Sequence, residues 1–204
     1  MQDEPRDERL LLARIATGDE EALRQLYGAY RPRLRRYLWH QLAGDNASVE
    51  DALQDVFLAV WRTAGGYRGE ARVSTWLYQI ARYVALGVRR RRTRQPDALR
   101  LDADQDADEG AERLPYDAQG WSAGDDSCEQ RALDRVALRD ALARLSPRHR
   151  EALTLVFQHG FSPQEVAQIL DVPAGTVKSR ISYARKALLR ALDLTLAEEA
   201  HRDT

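Results

Sequence analysis

Apolar residues recur along this chain at spacings of three and four, and no segment alternates with period two. Leu23, Leu26, Tyr27, Tyr30, Leu34, Tyr37 and Leu38 form one such series, the signature of a helix with one buried face. Pro32 falls inside it and predicts a kink or break, because proline lacks the N–H and its ring crowds the carbonyl four residues back. Val49, Ala52, Leu53, Val56, Phe57 and Val60 make a second face, with Ser48 and Asp51 resembling a capping signal at its start. Leu77, Ile80, Ala81, Val84 and Val88 make a third, with Ser74 as its cap. This half of the chain reads as a small helical bundle.

The last third is punctuated more sharply. Ser146-Pro147 predicts a helix start, with a serine cap and proline at the first helical position. Leu153, Val156 and Phe157 are expected to face inward, and His159-Gly160 to end the helix. Ser162-Pro163-Gln164-Glu165 joins a Ser…Glu capping box to a second N-terminal proline. The short helix it opens carries Val166, Ala167, Ile169 and Leu170, and Asp171-Val172-Pro173 breaks it. A final helix is expected from about Gly175 or Thr176, with Val177, Ile181, Ala184, Leu188 and Leu192 on one side. A short helix, a tight turn and a longer helix make the helix-turn-helix pattern.

Charge adds a boundary that periodicity does not show. The 204 residues hold 31 Lys plus Arg and 32 Asp plus Glu, for a net charge of −1. Residues 1–95 are net +5, residues 96–130 net −9 and residues 131–204 net +3. The acidic middle is poor in aliphatic residues and interrupted by Pro96, Gly110, Pro115, Gly120 and Gly124. Such a stretch buries too little surface to offset its ordering entropy and reads as a linker. The expected organisation is all-α: a helical domain over 1–95, a flexible acidic linker over 96–128 and a helix-turn-helix domain over 129–204.

Composition excludes several classes. The apolar runs, such as those near Leu10–Ala13 and Val84–Val88, are too short to cross a membrane. The acidic start has no apolar core behind it and does not read as a secretory signal. The single cysteine, Cys128, permits no internal disulfide and no cysteine-rich zinc site. A cytoplasmic protein without metal or cofactor is expected. The four histidines are scattered, and there is no P-loop, no GxSxG and no carboxylate cluster outside the linker. An enzyme is therefore not expected.

The remaining signals point to nucleic acid. The outward side of the last helix carries Thr176, Lys178, Ser179, Ser182, Tyr183 and Lys186, with Arg180 and Arg185 on its flanks. These are side chains that reach base edges and phosphates in a major groove. In the first domain, Tyr67-Arg68-Gly69-Glu70-Ala71-Arg72 forms a loop that opens a helix bearing Trp76 and Tyr78 and ending in Arg89-Arg90-Arg91-Arg92. Aromatic rings interleaved with cations suit single-stranded or flipped bases. Trp76 and Tyr78 would equally suit a core, and arginines at a helix C-terminus are also favoured by its dipole.

Two blocks carry a family resemblance. Asp51 through Trp61, Tyr67 through Arg72 and Ser74 through Arg82 resemble region two of bacterial sigma factors. Leu145 through Leu153 and Phe161 through Arg180 resemble region four. Two such blocks with nothing else but a linker resemble the extracytoplasmic-function group. The resemblance implies a subunit that binds RNA polymerase core and selects promoters. Asp51, Gln54, Asp55, Phe57 and Trp61 would meet the polymerase clamp, although Phe57 and Trp61 suit a core equally well. Tyr67, Arg68, Arg72 and Trp76 would open the minus-ten element, and Arg82, Arg89, Arg90 and Arg91 would hold the duplex nearby. Thr176, Lys178, Ser179, Arg180, Ser182, Tyr183 and Lys186 would read the minus-thirty-five element, and region four would also bind the polymerase flap. Many members of the group are restrained by an anti-sigma protein. The alternative is a free-standing helix-turn-helix regulator, which would bind a palindrome as a dimer without polymerase.

Overall fold

The structure is a computed structural model that describes residues 4–93, 138 and 141–202. Among the described residues there are seven α-helices and one 3-10 turn, and no strand. The expected linker, with Trp121 and Cys128, lies outside them. The chain divides into two compact units.

The first unit comprises α1 (Glu4–Ala16), α2 (Glu20–Gln41), α3 (Asn46–Thr63), a 3-10 turn (Ala64–Gly66) and α4 (Val73–Thr93). α3 packs against α2 and α4, and α1 packs against α2 and the 3-10 turn. Leu12, Ile15, Leu26, Leu34, Leu38, Val49, Leu53, Val56, Val60, Leu77 and Ala81 are buried between them. Two aromatic pairs knit the helices: Tyr37 of α2 lies 5.2 Å from Tyr78 of α4, and Tyr27 of α2 meets Phe57 of α3 edge-on at 4.8 Å. Burial pushes the Tyr78 phenol above its usual range, and also that of Tyr30, which donates a 2.6 Å hydrogen bond to Glu8 on α1.

Four expectations need correction here. α2 runs unbroken through Pro32. Pro32 and Gly28, whose carbonyl loses its partner, both lie on the exposed side, where water can take that bond, while Leu26, Tyr30 and Leu34 anchor the opposite face. α3 starts at Asn46 rather than Ser48, with Asp45 as the cap residue. Ser48 turns back and donates to the Asp45 carboxylate at 2.8 Å, and Arg92 of α4 closes on the same pair. α4 starts at Val73, before Ser74, because Val73 is buried and the Trp76 N–H already bonds the Arg72 carbonyl. On α4 the buried positions include Val73, Thr75, Leu77, Tyr78, Ala81 and Ala85, whereas Ile80, Val84 and Val88 are half-buried. α1 has no counterpart among the expected helices.

The second unit contains α5 (Pro147–Phe157), α6 (Pro163–Leu170) as far as Ala167, and α7 (Ala174–Arg202). α5 and α7 pack together, and Leu142, Leu145, Leu153 and Ala184 form a core joined by Leu138, Ala187 and Leu188. Gly160, at φ 76°, lets the chain turn after α5 so that the Phe161 N–H reaches the Leu155 carbonyl. The capping box forms as its spacing predicts: the Ser162 N–H donates to Glu165 at 2.9 Å, and the Glu165 N–H donates to Ser162 Oγ at 3.3 Å. Asp171 takes φ 54° in the turn before α7, a left-handed conformation aspartate tolerates better than most residues. α7 begins at Ala174, slightly earlier than expected. Phe157 is 59% exposed rather than inward, since Ala152, Leu153 and Leu155 fill the buried side of α5.

Candidate nucleic-acid interface

The first unit carries two candidate surfaces, the loop before α4 and the exposed side of α3, and the second unit carries one on α7.

In the first unit the loop 67–72 is closed on itself. Tyr67 donates from its hydroxyl to the Ala71 carbonyl at 2.5 Å, and its ring lies 5.4 Å from that of Trp76, tilted by 55°. Gly69 sits at φ 75°, the left-handed region that favours glycine. Both rings are half-buried, so the pair presents an aromatic edge without leaving the bundle. Arg68 and Arg72 are exposed on either side of Gly69. Rings next to guanidinium groups can stack on bases and hold phosphates. Arg9 on α1 reaches the Gly69 carbonyl at 3.4 Å, a tie that no motif in the sequence announces.

The four arginines expected to hold duplex differ in placement. Arg91 is exposed, Arg89 and Arg90 are half-buried, and Arg82 is only 7% exposed. Arg82 sits on the buried side of α4 with Tyr78 and Ala85, one helical turn from each by spacing. Of the four it is the most buried. Arg91 lies 3.8 Å from Asp55 on α3.

That α3 surface carries the positions expected to meet polymerase. Asp51, Gln54 and Asp55 are exposed, and Leu58, one turn on, is 51% exposed. Phe57 is 5% exposed and packed on Tyr27, the core placement that its apolar character also suits. Trp61 is half-buried. The surface is thus acidic and polar around one exposed leucine.

In the second unit, α7 presents Lys178, Ser179, Ser182, Tyr183, Arg185 and Lys186 to solvent, with Thr176 and Arg180 half-buried. Val177 and Ala184 on the opposite side are fully buried and fix its rotation. Ser179 donates to the Thr176 carbonyl at 2.9 Å. The exposed side mixes two lysines, hydroxyls and a ring, which suits a groove lined with phosphates and base edges.

Two residues with no assigned role organise this surface. Arg150 on α5, 7% exposed, donates to the carbonyls of Leu142 at 2.9 Å, Ala143 at 2.9 Å and Leu145 at 2.8 Å. It thereby ties α5 to the end of the preceding helical residues, 141–143. His149, one residue earlier, stacks on Tyr183 with ring centroids 4.4 Å apart. The sequence places both residues in a motif but carries no signal of either contact. Among the described residues no group of His, Cys, Asp or Glu could hold a metal ion, and no helix is long and apolar enough to cross a membrane.

Comparison with known proteins follows the same division. A family model described as Sigma-70 region 2 matches residues 26–95, and one described as Sigma-70, region 4 matches residues 135–188. The ECF RNA polymerase sigma factor SigM of Mycobacterium tuberculosis is 33% identical over 186 residues, which cover 91% of this chain and 84% of that protein. The RNA polymerase sigma-H factor of Pseudomonas aeruginosa is 29% identical over 192 residues, covering 92% and 95%. Among solved structures, the sigma factor RpoE of Bartonella quintana, in complex with the anti-sigma factor NepR, superposes with a TM-score of 0.54 at 25% identity. That match covers 83% of this chain and 96% of the other. CnrH, solved with the cytosolic domain of CnrY, superposes with a TM-score of 0.61 at 21% identity over 92% and 98%, a likeness of fold.

Proposed function

Because the chain belongs to the sigma-70 family, among the extracytoplasmic-function RNA polymerase sigma factors, we propose how its two units divide the work of promoter-specific initiation. The protein binds RNA polymerase core and directs it to promoters carrying minus-ten and minus-thirty-five elements. The observation that carries this reading is the order and spacing of the two family matches, region 2 at 26–95 and region 4 at 135–188.

In this reading residues 1–95 act as region 2, 96–128 as an acidic linker and 129–204 as region 4. Asp51, Gln54 and Asp55, with Leu58 at the centre, meet the polymerase clamp. An acidic rim around an exposed apolar residue suits a basic partner surface with an apolar pocket. The Tyr67–Trp76 pair, Arg68 and Arg72 engage the opened minus-ten strand, with Arg89, Arg90 and Arg91 on the adjoining backbone. The exposed side of α7 enters the major groove of the minus-thirty-five element, and its unit also contacts the polymerase flap. The chain holds and opens DNA without transforming a substrate, so no catalytic group or cofactor is assigned. It works in the cytoplasm with the polymerase, and an anti-sigma factor is a fitting partner, as for the relative solved with one.

A single helix-turn-helix reads a short site, and net charges of +5 and +3 on the flanking blocks give only modest, salt-sensitive attraction to DNA. The polymerase core supplies the fixed separation that a linker of about 35 residues cannot. The test is run-off transcription from fragmented genomic DNA with bacterial core polymerase, with and without the chain. Discrete starts that appear only with the chain are expected. Footprints by the chain alone, with no new starts and no co-elution with core, would replace this reading with a free-standing regulator.

A further inference from the structure

Tyr183 projects from α7 and is 53% exposed, yet its ring has a neighbour. His149 of α5 lies against it, with centroids 4.4 Å apart and planes 25° from parallel. His149 is held in turn: its Nδ1 lies 2.7 Å from Ser146 Oγ. Ser146 is the cap residue of α5, and a capping serine normally accepts from a backbone N–H two or three residues on. Here it makes no such bond. Its hydroxyl is turned instead to the histidine side chain at the third helical position. Cap, imidazole and phenol thus form one chain from the start of α5 to the exposed side of α7, and α5 and α7 are packed together.

From this geometry we infer that His149 is a positioning residue for DNA reading: it holds the Tyr183 ring in one orientation and so sets base preference at the position Tyr183 meets. This rests on the reading of α7 as the minus-thirty-five helix. An exposed tyrosine on a helix chooses among rotamers and must be ordered when it binds. A ring already stacked loses less freedom on docking, and its hydroxyl arrives at one place in the groove. Spacing puts Ser179 and Lys186 on the same side of α7 as Tyr183, four residues before and three after. The ring held by His149 therefore sits amid the side chains facing DNA. Removing His149 would leave Tyr183 present but unplaced, and discrimination would fall while general affinity for phosphates remained with the lysines.

The experiment uses the full chain with core polymerase on a promoter found by its run-off starts. Each base pair of the minus-thirty-five element is varied in turn, and relative initiation is measured for the unaltered chain and for His149→Ala, His149→Phe, Tyr183→Ala and the His149→Ala/Tyr183→Ala double variant. His149→Ala should flatten preference at one or two adjacent positions by about 2- to 12-fold, the range that an aromatic pair is worth. It should flatten the same positions as Tyr183→Ala. The double variant should be no worse than Tyr183→Ala alone, and His149→Phe, which keeps a ring, should restore the preference. Independent multiplication of the two effects, or failure of phenylalanine to rescue, would overturn the inference and leave His149 a packing residue. A uniform loss at every position with a lowered helical signal would do the same. Unchanged preferences in Tyr183→Ala would overturn it together with the assignment of Tyr183, while Lys178→Ala separately reports whether α7 reads the element at all.

Discussion

Phe57 and Asp55 stand two residues apart on α3, one 5% exposed against Tyr27 and the other facing solvent. That difference separates stability from recognition. Phe57→Ala should destabilise the first unit by about 3–5 kcal/mol, as expected for emptying a buried aromatic site, and a urea titration would read it as a lower midpoint. Asp51→Ala with Gln54→Ala should leave that midpoint nearly unchanged, because both side chains are exposed. Co-elution with core polymerase should weaken instead. On α7, Lys178→Ala with Ser179→Ala should alter promoter choice while sparing binding to core, which run-off transcription and co-elution would separate. A fall in core binding equal to that of the Asp51 and Gln54 pair would argue against this division. Residue types and spacing alone made these positions stand out. They could not show that Phe57 and Arg82 are buried, since apolar or cationic character at one position does not say what packs over it.

Among the helices, α2 shows how tertiary packing overrides a local breaker. Pro32 lies mid-helix, and the buried face of Leu26, Tyr30 and Leu34 carries the helix past it. One turn earlier stands Gly28, where nothing lies within 4 Å of an added Cβ. Gly28→Ala should therefore stabilise the first unit by about 0.5–1 kcal/mol, the helix-interior difference between these residues. Pro32→Ala should stabilise it further by returning an N–H to the Gly28 carbonyl. Thermal melts of the two single variants would check both, and a lowered melting temperature in either would show that the exposed side of α2 has a packing role unseen here. Starts of helices followed the same contest. Ser162 caps α6 as its sequence predicts, because Glu165 completes the box. Ser48 and Ser74 do not cap α3 and α4, because Asp45 and the buried Val73 extend those helices N-terminally. α1 is not legible in the sequence because Leu10, Leu11 and Leu12 form a cluster that masks the spacing of the two buried positions, Leu12 and Ile15.

Among the described residues, the carboxylates held below their ordinary range, Asp19, Asp45 and Glu50, lie in the first unit. A hydrogen bond from the Ala22 N–H, helped by Arg14, holds Asp19 below its ordinary value of 3.8. Ser48, with Arg92, does so for Asp45, and Arg35, with Arg31, holds Glu50 below 4.5. Each group is more acidic folded than unfolded, so its contribution is present at neutral pH and is lost as pH falls through the folded value. Stability of the first unit should hold from pH 7 to about 5 and decline below about 4.5, as urea midpoints at pH 7, 5 and 3.5 would show. A midpoint that rises on acidification would contradict the sign. Charge also bears on how the chain meets DNA. With net charges of +5 and +3 separated by −9, the free chain should leave no specific footprint at about 0.15 M salt, where screening is strong. Addition of core polymerase should produce one at the same promoter.

Periodicity, caps and turn residues were enough to predict an all-α chain with a helical bundle, an acidic divide and a helix-turn-helix, because each of those depends on neighbours within a few residues. The family motifs were equally local, and they identified the loop before α4 and the exposed side of α7. What the sequence could not determine is which side of a helix another helix covers. That choice put Phe57 and Arg82 inside, left Phe57's neighbour Leu58 and the more distant Phe157 outside, and carried α2 through Pro32. It also brought together residues far apart along the chain: Arg92 with Asp45, Arg9 with Gly69 and His149 with Tyr183. Such pairings depend on the summed burial of many side chains, so they are decided only when the helices pack.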